Sequence, residues 1–156
     1  MKSRVEMGSL ALMFSLLFVV ANVAAQKVVS PPSEADQANA VGSLRSINTA
    51  EVFYYKQYNK GFSPTLFSLG VPPNGTKPSG SAAGLLDNSL ASGKKNNYVF
   101  TYEAGRPDAT GKITAYTVSA RTAKWQSGVQ SFFTDQTAII RGTNENRATT
   151  ASDPAL

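Results

Sequence analysis

The chain contains no cysteine and no histidine. Disulfides and thiol redox chemistry are therefore excluded, as are Ser-His-Asp and Cys-His nucleophile systems and the common zinc sites. A domain without these staples must hold itself together by packing and hydrogen bonding alone. Long apolar runs are missing as well. The most hydrophobic stretch, Leu10 to Val20, falls short of the about 20 apolar residues that a membrane-spanning helix requires. The excess of one charge sign is small, with 15 basic against 10 acidic residues and a net charge of +5. Lys94-Lys95 is the only adjacent basic pair, so no dense phosphate-binding footprint is written along the chain, and solvated faces account for the basic residues better than nucleic acid does. Carboxylates are equally scattered: Asp87, Glu103, Asp108 and Asp135 each read as a turn or surface residue rather than a catalytic acid. No catalytic residue, cofactor-binding residue or metal site is expected, and the chain is read as a non-enzyme.

Lys2 and Arg4 precede the apolar run, and Val23-Ala24-Ala25 follows it with small residues. This pattern predicts a secretory signal peptide over residues 1–25, cut after Ala25. The protein is expected to be exported, periplasmic or extracellular, and tethered to the membrane only where the apolar segment is retained. Residues 26–32 form a lead-in stiffened by Pro31-Pro32, residues 33–142 a single domain, and residues 143–156 a polar tail expected to be disordered at its end.

Ser33 followed by Glu34 and Asp36 predicts a helix start, with acidic residues complementing the positive end of the helix dipole. Ala38, Val41, Leu44, Ile47, Ala50 or Glu51, Tyr54 and Tyr58 then recur every three to four residues, one apolar stripe that Phe53 and Tyr55 are expected to widen. Asn59-Lys60-Gly61 supplies the stop. From residue 62 to 93 the composition is irregular, with Pro64 to Gly70 able to form a helical turn and Leu85, Leu86 and Leu90 able to anchor the segment. Beyond Gly93 the period falls to two. Tyr98 to Glu103 and Ile113 to Ser119 read as a hairpin across residues 105–111, and Val129 to Phe133 with Ala138 to Arg141 as a further pair. The predicted fold is α+β: an N-terminal long amphipathic helix packed on a three- to four-stranded antiparallel sheet.

Three stretches carry a resemblance: the helix segment Ala38-Asn39-Ala40-Val41-Gly42-Ser43-Leu44-Arg45-Ser46-Ile47-Asn48-Thr49-Ala50-Glu51, then Gly61-Phe62-Ser63-Pro64-Thr65-Leu66, and Ser131-Phe132-Phe133-Thr134-Asp135-Gln136-Thr137 ahead of Ile140-Arg141. Together with the order of helix first and strands later, they make residues 33–155 resemble the globular domain of type IV pilins and of type II secretion pseudopilins. The prepilin N-terminal motif, a short basic leader with a Gly-Phe cleavage site and a glutamate inside the apolar helix, is absent. What the resemblance implies is a pilin-like headgroup, a non-enzymatic structural or interaction role outside the cytoplasm, and pilin subunits, pseudopilin subunits or another cell-surface protein as partners.

The candidate interaction surface read from the residues is Trp125 in a loop, with Lys124 beside it and Lys94 and Lys95. The alternative function is a small secreted binding module for a glycan, peptide or DNA, using residues 71–93. A calcium site built from Asp135, Asn144, Glu145 and Asp153 is weighed and set aside, because calcium wants six to eight oxygens and no compact acidic ladder is present. Asn74-Gly75-Thr76 matches a glycosylation acceptor but reads first as a turn.

Overall fold

The computed structural model describes residues 30–156; the predicted signal peptide and the start of the lead-in lie outside the described residues. Helix α1 spans Glu34–Tyr58. The two prolines before it cannot supply helical donors, and Ser33 opens it with a reciprocal cap: Asp36 N donates to Ser33 Oγ at 3.1 Å while Ser33 N donates to Asp36 Oδ2 at 3.0 Å. Asn59 ends it in the left-handed conformation at φ 52°. Gly61 follows at φ 80°, where a Cβ would overlap the Ile113 backbone, so the exit from the helix is possible only with glycine.

The sheet corrects the predicted architecture: it has five strands, not three to four. They are β1 (Lys94–Lys95), β2 (Tyr98–Ala104), β3 (Tyr116–Thr122), β4 (Ser131–Asp135) and β5 (Arg141–Thr143), paired in chain order as one antiparallel meander. β1 is two residues long, too short to show a period, and it exists because Asn96 and Asn97 both take positive φ in the turn to β2. The predicted partner of β2 starts later than Ile113. That residue leaves the ladder to bridge Gly61 and Pro107, which trades sheet pairing for a clasp on the end of α1. The last pair is shifted too: Ala138 sits at positive φ in the turn, and β5 begins only at Arg141.

The tail beyond β5 is ordered rather than disordered. Gly142 N donates to the Pro154 carbonyl at 3.1 Å and Leu156 N to the Ile140 carbonyl at 2.9 Å, so the end of the chain runs along the edge of β5 and covers its free backbone groups. Thr149 and Asp153 are buried beneath it.

α1 lies across β3 and β4 and the 3-10 turn Leu66–Leu69. Leu44, Ile47, Ala40 and Tyr54 from the helix meet Tyr98, Phe100, Val118, Ala120 and Phe132 from the inner face of the sheet. Leu69, Leu86 and Leu90 close the side of this core. Segment 62–93 is thereby pinned, with Ala83, Gly84, Leu85 and Leu86 donating backbone hydrogen bonds to Ser68, Gly70 and Leu69, and with a one-turn helix, α2, at Asn88–Ala91. The predicted stripe holds at Leu44, Ile47, Tyr54 and both Ala50 and Glu51, all buried; it differs at Ala38, which is exposed where Ala40 is buried, and it widens to take in Asn48.

Candidate functional site

Polar side chains weld the helix to the sheet. Asn48 donates to Thr134 Oγ1 at 2.9 Å and accepts from the Tyr116 hydroxyl at 2.9 Å, so one buried amide joins α1, β3 and β4. One turn further on, the Glu51 side chain has 0% exposure. Its carboxyl accepts from Ser63 N at 2.9 Å and from Ser63 Oγ at 2.6 Å, and Tyr102 donates to the Ser63 carbonyl at 2.8 Å. Burial raises the Glu51 pKa above its ordinary value, and the Ser63 bonds only partly oppose this. Burial, with the Glu51 charge second, raises Tyr102 and Tyr116 as well, and elsewhere in the core burial pushes Tyr98, which donates to the Gln130 carbonyl at 2.8 Å, up to about 12. Tyr54 donates to the Gly80 carbonyl at 2.7 Å. These groups are occupied in holding the fold. Among the described residues, no group of His, Cys, Asp or Glu is placed to hold a metal ion.

The surface is arranged differently. On the outer face of the sheet, Val99, Arg121, Thr122, Lys124, Trp125, Gln126 and Asn146 line an open groove that Ser30 and Pro31 border at the point where the chain enters the domain. The register explains why these residues meet. Val99 lies opposite both Lys94 on β1 and Arg121 on β3, so the three side chains share one row on one face. Lys124 and Trp125 follow in the turn to β4, and Trp125 is 36% exposed. The four residues singled out in the sequence thus divide. Trp125 and Lys124 lie in the groove, Lys94 flanks it, and Lys95 turns away to pair with Asp87 at 2.7 Å.

Arg121 and Val99 were not singled out by sequence, although the alternation Val118, Ala120 inward and Ser119, Arg121 outward contains the signal. None of Lys94, Arg121 and Lys124 has an ion-pair partner among the described residues.

A second surface lies along the outer side of α1. Val52, Phe53 and Tyr55 are 48%, 57% and 43% exposed, against the expectation that the aromatic run would deepen the core. Val52, Tyr55 and Phe62 line one shallow apolar depression there, and Phe53 and Leu85 line another. The acidic residues weighed for calcium are spent elsewhere. Asp135 accepts from Thr137 N at 2.8 Å in its own turn, and Asp153 and Glu145 both pair with Arg147. Asn74-Gly75-Thr76 sits in an exposed turn closed by Thr76 N and Oγ1 on the Pro73 carbonyl.

Comparison with known proteins finds no matching family model, no matching curated protein and no matching solved structure.

Proposed function

We propose that the chain is a non-enzymatic, exported structural or interaction protein that works by docking subunits of the pilin and pseudopilin kind. The observation that carries this reading is the exposed apolar side of α1. Its opposite face is locked to the sheet by Leu44, Ile47, Asn48 and Glu51, while Val52 and Phe53 stand largely in water and Tyr55, packed on one side against Phe62 at 5.1 Å between ring centroids, leaves its other side exposed. Large apolar side chains left exposed mark surfaces that a partner covers, and here they occupy two flanks of one helix, Val52 and Tyr55 on one and Phe53 beside Leu85 on the other. The stretch Ala38 to Glu51, on which the resemblance to pilins rests, belongs to the same helix, and this supports the reading.

The test is co-purification of the full chain from its own cell envelope, with captured proteins identified by mass spectrometry. Wild-type chain is expected to bring down pilin or pseudopilin subunits, and Phe53→Glu to lose them while keeping its fold, since Phe53 is 57% exposed. A chain that stays monomeric and captures neither class contradicts the reading. The alternative, a binding module built on residues 71–93, is less favoured because backbone bonds and buried Ala82, Ala83, Leu86 and Leu90 tie much of that segment down.

A further inference from the structure

The basic residues that look dispersed along the chain are gathered by the fold. Lys94, Arg121 and Lys124 belong to β1, β3 and the turn after β3, yet strand pairing sets Lys94 and Arg121 on either side of Val99, about 10 Å apart at the Cα positions. Lys124 and the Trp125 indole complete the same groove. The acidic residues near it are already engaged. Asp36 accepts from Ser33 and Asn97, Glu145 and Asp153 hold Arg147, and among the described residues no carboxylate lines the groove. The result is an open channel with Arg121 and Lys124 in its lining and Lys94 at its flank, none of them ion-paired among the described residues, together with an exposed indole and an aliphatic floor at Val99.

We infer that this groove binds single-stranded nucleic acid. Backbone phosphates fit the three cations, and Arg121 presents a planar fork that takes a phosphate through two parallel hydrogen bonds. Trp125 offers a flat apolar face on which a base stacks, the device by which single strands are held without regard to sequence. Val99 on the floor gives a neighbouring base an apolar contact. Gln126 and Asn146 supply hydrogen-bond partners for base edges along the walls, while the Thr122 hydroxyl accepts from Lys124 N at 3.1 Å and shapes the turn that carries Lys124 and Trp125. The groove is a separate surface from the apolar side of α1, so this inference stands or falls independently of subunit docking.

Trp125 is the only tryptophan in the chain, so its fluorescence reports occupation of this groove and of nothing else. The full chain is titrated with oligodeoxythymidine of about 12 nucleotides, within the span of known single-strand sites. Saturable quenching is expected, with log K falling against log salt with a slope of about −2, the value for three neutralised phosphates on a single strand. The double variant Arg121→Ala/Lys124→Ala is expected to bind at least tenfold more weakly with a flatter slope, and Phe53→Glu to bind like the wild type. Absence of quenching at low salt overturns the inference. So does displacement of the oligonucleotide by inorganic polyphosphate or dextran sulfate at matched charge concentration, which would make the groove a site for any polyanion.

Discussion

Glu51 is the residue on which most of the interior chemistry converges. A carboxyl with no exposure, held by Ser63 and facing Tyr102, Tyr54 and Tyr116, is worse solvated in the fold than in the unfolded chain. Its folded pKa is raised, so above the ordinary value of 4.5 the unfolded chain ionises first and the Glu51 contribution to stability falls as pH rises. Asp36, Asp87 and Asp153 are shifted the other way by their hydrogen bonds and favour the fold as pH rises through the acid range. A variant comparison separates the two. Glu51→Gln keeps the bond to Ser63 N and can donate to Ser63 Oγ, which then serves the Thr65 carbonyl 3.1 Å away. Urea denaturation of both proteins is expected to show the variant gaining on the wild type as pH increases, by on the order of 1 kcal/mol at pH 8. A difference that does not change with pH contradicts this account of Glu51. Sequence periodicity leaves Ala50 and Glu51 as alternatives and does not include Asn48 in the stripe, because an apolar pattern carries no sign for a polar group with a waiting partner. The partners, Tyr116, Thr134 and Ser63, are brought near only by the tertiary fold.

Elements were legible where local rules act alone. The helix begins and ends at the predicted residues because capping at Ser33 and the left-handed turn at Asn59 are decided within a few positions. Two substitutions separate local from tertiary control. Ser33→Ala removes an exposed cap and is expected to cost about 1 kcal/mol. Gly61→Ala meets both a positive φ and the Ile113 backbone, and is expected to cost several times more, roughly 3 kcal/mol or above. Thermal melts rank the two, and equal effects would mean that the Gly61 clasp yields easily. The strands were less legible. β1 and β5 are two and three residues long and owe their pairing to neighbours rather than to an alternating pattern. The exposed aromatics of α1 depart from the expected core for a related reason: composition identifies large apolar side chains but not which of them the sheet will cover.

At the scale of the whole molecule, the end of the chain completes the sheet. Arg141 Nη1 donates to the Asp153 carbonyl at 2.8 Å, and the bridge between Arg141 and Ala155 leaves β5 without an open edge. Deleting residues 153–156 is expected to lower the melting temperature by roughly 5 °C and to promote self-association through the uncovered strand, seen by light scattering. An unchanged melt and a monomeric profile would show the tail to be passive. With Asn48, Glu51 and their partners bonded and its last strand covered, the molecule presents the groove around Trp125 and the exposed apolar residues of α1 among its described surfaces.

We propose the second of these as a subunit-docking face, and the absence of cysteine makes this directly measurable. A single thiol introduced by Phe53→Cys and carrying a photo-activated cross-linker should join the chain to a pilin or pseudopilin subunit in the intact envelope, while the same probe at Gln136, in the turn after β4, should not. Equal labelling from both positions, or no adduct from position 53, would contradict it.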